Sequence, residues 1–291
     1  MIFFQFLANG ISYGSLVALV AVGFSVIYRT TKIFHIVHGV IYTIASYFLY
    51  SLFVSLHLPL LLSLPLALGG GILTGYLVER FIYVPLVRRE ASGGIYFLSS
   101  LGVYIFLVNL IALIYGNEVK ILSSGIEPTV NIGGVILTRI QIFQIFVSLL
   151  LFLLFFLFLN RTSWGKLIRA YADDPVLLET RGVNPYKVRA FVFCTGSFFA
   201  SVASVLSSLD VGMDPHVGIG AFLHGAVATI IGGVEKVEGA VLGGYLLGIL
   251  QSLVIWKTSA RWAEAVTFGL LILFLLFKPE GLLGERRRVE E

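Results

Sequence analysis

Residues 142–159 read IFQIFVSLLLFLLFFLFL, a run without a single charged side chain. A helix of roughly 20 mainly apolar residues spans the hydrocarbon core of a bilayer, because it satisfies its own backbone hydrogen bonds there. The whole chain shares this character: 58% of its 291 residues are apolar, 12% are charged and the mean hydropathy is +0.96. Soluble domains are about one quarter charged. The sequence therefore predicts an integral membrane protein with little room for a soluble domain.

Similar apolar runs recur along the chain, which predicts an all-α transmembrane helical bundle that forms one domain over residues 1–291. We expect about nine spans, within a range of eight to ten, near residues 5–28, 36–56, 59–78, 95–115, 140–159, 190–209, 219–234, 239–255 and 262–277. The runs at 219–234 and 239–255 are short and interrupted by glycine. Each is therefore either a full span or half of one broken or re-entrant element. The first basic residue is Arg29, so we interpret the first run as a retained span and not as a cleaved signal peptide.

The distribution of basic residues predicts the orientation. If all nine segments cross and the C-terminus is cytoplasmic, 16 of the 20 Lys and Arg residues fall in the inner loops and four in the outer loops. Cytoplasmic loops of membrane proteins carry an excess of Lys and Arg. We therefore predict that the N-terminus lies outside and the C-terminus in the cytoplasm. Treating 219–255 as one re-entrant element gives the same orientation.

One polar stretch interrupts the apolar runs. In the predicted orientation, residues 160–189 form the largest cytoplasmic loop, and most of that loop reads WGKLIRAYADDPVLLETRGVNPYKVR, at 164–189. Its first part, SWGKLIRAYA, has a helical pattern. A charged segment of this length between two membrane spans calls for a functional explanation.

The second part of the loop carries start and stop signals for a short, separate helix over residues 175–181. Asp174 caps helices well, and the missing N–H of Pro175 costs nothing at the first helical position. Gly182 stands where a helix ends in a left-handed residue. Asn184 and the proline after it repeat the start signal for the next span. The pattern predicts a two-turn helix stopped at both ends.

A two-turn helix is unstable alone in water and must pack against something. One interpretation is that it rests on lipid headgroups or on the protein's own cytoplasmic surface. The other is that it forms a rigid knob that fits a groove on a cytoplasmic partner. The start and stop signals alone favour the rigid knob, but they do not exclude a helix that rests on headgroups or on the protein's own surface.

Several motifs together resemble one transporter family. They are RAYADDPVLLETRGVNPYKVRAFVF (169–193), NGISYGSLVALVAVGFSVIY (9–28), HGVIYTIASY (38–47), ERFIYVPLVRRE (79–90), ATIIGGVEKVEGAVLGGYLLGILQSL (228–253) and FKPEGLLG (277–284). In this order they resemble the LivH-type permeases of branched-chain amino acid ABC transporters, and the first resembles the coupling loop of that family. Each motif is loose alone, but the match is collinear over essentially the whole chain.

The resemblance implies the membrane-spanning permease subunit of an ATP-driven importer in the cytoplasmic (inner) membrane. Implied partners are cytoplasmic ABC ATPase subunits, a second homologous permease subunit, an external solute-binding protein and the lipid bilayer, with no nucleic acid and no cofactor. Branched-chain amino acids are the family's usual solutes, and relatives carry urea or short amides. The sequence agrees on one independent point. It has no G-x-x-x-x-G-K-[ST] phosphate loop, so we expect no enzyme activity of its own and ATP hydrolysis on another chain.

The resemblance also implies residue roles in coupling to the ATPase. The residues concerned are Asp173, Asp174, Pro175, Leu178, Glu179, Arg181, Gly182 and Asn184. Five positions depart from the family pattern. His35 replaces Asn and Val40 replaces Glu around the His-Gly pair, Arg29 and Lys32 stand where glycine and small apolar residues are common, and Leu178 replaces a small residue. The solute and the fit to the ATPase are the properties that these departures affect.

The polar and small residues of the spans suggest a translocation pathway. We expect it to include His35, His38, Gly39, Thr229, Gly232 and Gly233. His38 either belongs to a helix break whose N-terminal amides face the pathway or lies at headgroup level. A metal site is disfavoured because no further ligands lie near the two histidines.

The glycine repeats of the late segment predict close helix packing. They comprise Gly239, Gly243, Gly244 and Gly248, spaced as G-x-x-x-G pairs. Tight packing is the default interpretation, and at residues 230–233 a helix break or pathway lining is a further alternative.

The main alternative function is an ion-coupled secondary transporter of a small polar solute. Such carriers need ionisable residues inside the membrane, whereas Glu79 and Asp210 are expected at span edges. A serine or histidine intramembrane hydrolase stays open, although no G-x-S-x-G elbow is present.

Overall fold

The computed structural model describes residues 2–122 and 128–284. Over these residues it contains twelve α-helices and one two-stranded hairpin. The helices are α1 (Ile2–Thr31), α2 (Val37–Tyr50), α3 (Leu60–Val78), α4 (Val84–Arg88), α5 (Gly93–Tyr115), α6 (Arg139–Arg161), α7 (Ser163–Asp173), α8 (Pro175–Thr180), α9 (Pro185–Val211), α10 (Val217–Gly232), α11 (Val237–Lys257) and α12 (Arg261–Phe277). The strands are β1 (Thr129–Ile132) and β2 (Val135–Thr138), which pair antiparallel.

Seven helical stretches of the described chain are long and apolar enough to cross a membrane. They are Ile2–Thr31, Val37–Ser55, Leu60–Arg88, Gly93–Tyr115, Arg139–Arg161, Pro185–Val211 and Val237–Lys257. Helices α10 and α12, with 16 and 17 residues, are shorter. Of the two glycine-interrupted runs, the second is thus a full-length helix and only the first is short. The count of nine spans stays a prediction.

The third span extends beyond its predicted end. The sequence predicted a span over 59–78, whereas the helical stretch continues to Arg88 through a π-helical turn at Glu79–Tyr83 and helix α4. The charged pair Glu79–Arg80 reads as the start of a loop, but Glu79 is buried and paired inside the protein. The expectation that Glu79 lies at a span edge stays a prediction, because the helical stretch of 29 residues is longer than one crossing needs. A second π-helical turn, Ser51–Ser55, ends the α2 stretch.

Helix α1 lies at the centre of the bundle and packs against α9, α10 and α11. It runs antiparallel to α11, because the Ser252 hydroxyl donates to the carbonyl of Phe6 at one end of the contact and Gly244 meets Ala18 further along. A Cβ on Gly244 would lie 2.5 Å from the Cα of Ala18, so only glycine permits this approach. Close contacts of this kind replace the hydrophobic driving force that is absent between helices in lipid.

The other three glycines of the repeats lie in similar contacts. A Cβ on Gly248 would overlap with Gly14 of α1. Cβ atoms on Gly239 and Gly243 would overlap with the end of α10, at Gly232 and Ala228. The late segment is therefore a packing element over its whole length.

The bundle has two distinguishable ends. The hairpin end carries β1 and β2, which Gln5 of α1 clamps by accepting from the Ile136 amide at 2.8 Å and donating to its carbonyl at 2.7 Å. Lys120 and Met213 pair through their backbones at the same end. The α8 end carries α7, α8 and the start of α9.

Candidate functional site

Helix α7 folds back from α6 at a turn that requires glycine. The Thr162 hydroxyl accepts from the Gly165 amide at 3.1 Å and caps the new helix. A Cβ on Gly165 would overlap with the backbone of Leu159. The Arg169 guanidinium donates to the Leu159 carbonyl at 2.6 Å. The polar segment is thereby fixed against the end of the span that precedes it.

Helix α8 begins and ends with the capping residues that the sequence predicted. One carboxylate oxygen of Asp174 accepts from the amides of Val176 at 2.8 Å and Leu177 at 3.0 Å, and Pro175 occupies the first helical position. Gly182 ends the helix with φ +78°. The helix ends at Thr180, one residue earlier than predicted.

Helix α9 also starts with a capping side chain followed by proline. The Asn184 side chain accepts from the Tyr186 amide at 2.9 Å, and Pro185 is the first helical residue. Only four residues, 181–184, separate the end of α8 from the start of α9, so the connection between them is short.

One side of α8 rests on the protein and the other is open. Leu178 is buried and anchors the helix, which gives a physical role to the large side chain at this position. Val176 and Leu177 are 69% and 56% exposed. Asp173, Asp174, Pro175, Glu179, Arg181, Gly182 and Asn184 are also exposed. Two exposed apolar residues within a charged surface are typical of a helix that docks onto another molecule.

A buried ion pair holds the segments on both sides of α8. The Arg189 guanidinium of α9 donates to both carboxylate oxygens of Glu79, at 2.6 Å and 3.1 Å, and to the Tyr171 hydroxyl of α7 at 3.5 Å. Arg189 and Glu79 are 4% and 1% exposed. A two-pronged guanidinium–carboxylate contact fixes orientation as well as distance. The helix before α8 and the helix after it are thus tied to one point on the third span.

The π-helical turn Glu79–Tyr83 also contacts the segment that connects α1 and α2. Tyr83, four residues after Glu79, shares a 2.9 Å hydrogen bond with Nδ1 of His35, and both rings pack on Phe193. Burial lowers the pKa of His35 well below its usual range, and His38 adds to the effect. The His35 ring is therefore neutral near pH 7 and acts as a hydrogen-bonding group.

A helix break precedes α2. The chain leaves α1 with Lys32 at φ +58° and re-enters a helix at Val37, whose amide donates to the Ser100 hydroxyl at 3.2 Å. His38 lies in the first turn and its Nε2 is 3.3 Å from the Val20 carbonyl of α1. The first amide of α2 is thus satisfied within the chain, and a role of this helix start in the pathway stays a prediction.

The remaining predicted pathway residues lie in helix contacts. Gly39 faces Gly218, and the Thr229 hydroxyl is 3.0 Å from the Ala21 carbonyl. Gly232 meets Gly239. Gly233 has φ +105° and lies beside residues 280–284, where the amides of Leu282 and Leu283 donate to the last carbonyls of α10. These residues pack the interior of the single chain, and a pathway role for them stays a prediction. No three His, Cys, Asp or Glu residues of the described segments cluster as metal ligands.

The sequence indicated the residues that cap α8 and α9, but it did not indicate the buried ion pair between Glu79 and Arg189. Glu79 and Arg189 are 110 residues apart, and no local pattern joins them. The one available signal was that an Arg near the start of an apolar span requires a partner once it is buried. Val176 and Leu177 were also missed, because periodicity in a six-residue helix does not reveal which side is covered.

Comparison with known proteins gives a consistent result over the full length. A family model described as "Branched-chain amino acid transport system / permease component" matches residues 6–275. BraD of Pseudomonas aeruginosa, a high-affinity branched-chain amino acid transport system permease protein, is 32% identical over 99% of this chain and 98% of its own. LivH of Escherichia coli (strain K12), which carries the same description, is 30% identical over 99% of this chain and 97% of its own.

A solved structure shares the fold. PsaBC from Streptococcus pneumoniae in complex with Fab superposes with a TM-score of 0.52, covering 94% of this chain and 92% of that chain at 14% identity. At that identity the likeness concerns the helical architecture alone.

Proposed function

Because this chain belongs to the family of permease components of branched-chain amino acid transport systems, we propose that it forms the membrane pathway of an ATP-driven importer for a branched-chain or related amino acid. The chain is a multi-pass membrane protein and a transport subunit. We propose that ATP is hydrolysed on separate cytoplasmic subunits. A second homologous permease and an external solute-binding protein complete the proposed assembly.

The observation that carries the coupling proposal is the geometry of α8. The helix is capped at both ends, rests on the protein through Leu178 and exposes Val176 and Leu177. An ATPase groove that accepts these two apolar side chains accounts for their exposure. The charged residues around them, Glu179 and Arg181 among them, form the rim of the contact.

Movement of α8 has a defined route into the bundle. Tyr171 before it binds Arg189 after it, and Arg189 binds Glu79, so a push on α8 reaches the third span through Arg189. Tyr83 on the same turn contacts His35 at the helix break. We propose that this series of contacts relates ATPase movement to the opening of the pathway.

The proposed contact between α8 and the ATPase also implies how the chain is oriented in the membrane. With α8 in the cytoplasm, the hairpin end faces outward, where a binding protein delivers solute. The basic residues support this orientation, since 16 of 20 then lie in inner loops. Nine crossings, with α10 and α12 as short spans, place the two termini on opposite sides.

Reconstitution tests the proposal. The chain is purified alone and as a complex with its ATPase subunits, the second permease and the binding protein, and each preparation is placed in liposomes. We expect leucine uptake only in the complete complex and only with ATP. The chain alone should hydrolyse no ATP. ATP hydrolysis by the isolated chain, with contaminants excluded, or uptake driven by an ion gradient, would contradict the proposed function.

A further inference from the structure

Three polar side chains from three helices form a continuous chain in the outer half of the bundle. The Tyr13 hydroxyl of α1 is 2.9 Å from Nδ1 of His224 of α10. Nε2 of His224 is 3.2 Å from each carboxylate oxygen of Glu264 of α12. None of these residues belongs to the α8 region or to the pathway predicted from sequence.

The hydrogen bonds have one consistent direction when the imidazole is neutral. Nε2–H donates to the Glu264 carboxylate, and the Tyr13 hydroxyl donates to Nδ1. The cluster then carries one negative charge, located on Glu264. Within the described part of the chain no Lys or Arg nitrogen lies within 4.0 Å of this carboxylate. The Glu264 carboxylate is thus oriented by His224 and has no Lys or Arg partner among the described residues.

The carboxylate faces outward from the chain. His224 is buried, whereas the Glu264 side chain is 62% exposed and Tyr13 is 38% exposed. A Cβ on Gly220, one turn before His224 on the same side of α10, would meet no atom within 4 Å. The surface beside the cluster is thus open.

An open carboxylate at this depth does not fit a lipid-facing surface. Glu264 itself lies in the first turn of α12, but its partners lie further inside, since Tyr13 is eleven residues into α1 and His224 is seven residues into α10. Charged side chains at membrane depth face a water-filled cavity or a protein interior, because lipid tails solvate them poorly. The side of α1, α10 and α12 that carries the cluster is therefore the side expected to border an aqueous pathway.

We propose that Tyr13, His224 and Glu264 form a transient binding site for the ammonium group of the solute on the outer side of the pathway. The proposal rests on the proposed function, in which the solute is a zwitterionic amino acid. An ammonium group offers three N–H donors. The Glu264 carboxylate accepts charge-assisted hydrogen bonds from them, while Tyr13 holds the opposite side of the His224 ring. His224 is a positioning residue, since both its nitrogens are used within the cluster.

The first test removes the charge and keeps the shape. Glu264→Gln retains an oxygen that accepts from His224 and loses the ion pair with ammonium. Leucine uptake by the complete transporter is measured in phosphatidylcholine liposomes, which contain no primary ammonium, at saturating binding protein. We expect at least a tenfold lower uptake rate, with partial recovery in Glu264→Asp. The matched control is Glu118→Gln, an exposed carboxylate at the hairpin end, which should import as the wild type does. Wild-type uptake by Glu264→Gln would overturn the proposal.

Lipid is the other source of an ammonium group. Repeating the uptake measurement in liposomes that contain phosphatidylethanolamine distinguishes binding of the solute from binding of a lipid headgroup. A defect of Glu264→Gln in both lipids supports solute binding, whereas a defect confined to phosphatidylethanolamine would assign the site to a headgroup and overturn the proposal.

A labelling experiment tests the aqueous face without assuming which amino acid is carried. A cysteine is placed at 264 in a Cys194→Ser background and treated from outside with a water-soluble maleimide. We expect labelling, and slower labelling when leucine-loaded binding protein and ATP are present. Labelling only by a membrane-soluble reagent would overturn the proposal. If the wild-type complex imports no leucine, the choice of solute in the proposed function fails, while labelling by the aqueous reagent still supports the open face.

Discussion

At the scale of single residues, the buried Glu79–Arg189 pair is the most informative feature. Removing two charges from water costs several kcal/mol per ion, which their attraction offsets only in good geometry. Here both carboxylate oxygens are engaged and a third group, Tyr171, binds the guanidinium. An apolar pair of similar volume would often be as stable. The pair is therefore best explained by the orientation that it imposes on α7 and α9.

This explanation predicts separate effects on stability and coupling. Arg189→Met leaves the Glu79 carboxylate buried without a charged partner, which costs about 3–5 kcal/mol. We expect a lower melting temperature for the purified complex and substantial recovery in the double variant Glu79→Gln/Arg189→Met. The double variant should still import less solute per ATP hydrolysed, because α7 and α9 are no longer tied to one point.

The control for this prediction is a buried polar contact elsewhere. Gln144 hydrogen-bonds Ser12 between α6 and α1. Gln144→Met should lower the melting temperature with an unchanged uptake per ATP. If the double variant at residues 79 and 189 also couples normally, the ion pair has a purely structural role.

At the scale of elements, α8 depends on its ends more than on its interior. A six-residue helix has few internal hydrogen bonds, so the Asp174 cap and the Gly182 stop define its position. Gly182 has open space around it, and its backbone angle is the constraint on substitution.

Gly182→Val should therefore displace α8 without unfolding the spans. A β-branched residue is strongly disfavoured at positive φ, and the strain should extend or rotate the helix end. We expect normal membrane insertion, weaker co-purification with the ATPase subunits and at least a tenfold loss of uptake. Gly116→Val is the matched control, since Gly116 has φ +79°, no neighbour within 4 Å and a place at the hairpin end. Equal uptake by the two variants would show that the position of α8 does not matter.

The elements also show what the sequence could predict. The positions of seven long apolar helices and the two caps of α8 depend on local composition and on residues next to each other, and here the structure agrees with the sequence, while the count of nine spans stays a prediction. The continuation of the third span through Glu79 depends on an arginine 110 residues away, so a local pattern indicates a loop instead. The Tyr13–His224–Glu264 cluster was missed for the same reason: its members lie in three separate helices, and Glu264 reads as a charge at the start of a span.

At the scale of the whole molecule, the bundle combines a tightly packed centre with a polar end. Glycine contacts bring α1 close to α11 and, through Gly23 and Gly196, close to α9. The centre therefore has little freedom to deform, because packed interiors shift between discrete arrangements instead of bending gradually. Force applied at α8 is expected to move the third span and α9 as units through the Glu79–Arg189 contact.

The central claim is that α8 is the surface on which the ATPase acts, and cross-linking tests it most directly. A photoreactive phenylalanine analogue replaces Leu177, which is 56% exposed on α8, in the complete transporter. The control position is Ile132, which is 60% exposed on the hairpin. We predict that light joins residue 177 to an ATPase subunit and that residue 132 gives no such product. A transporter that imports normally while residue 177 cross-links only to lipid or to its own chain would contradict the account.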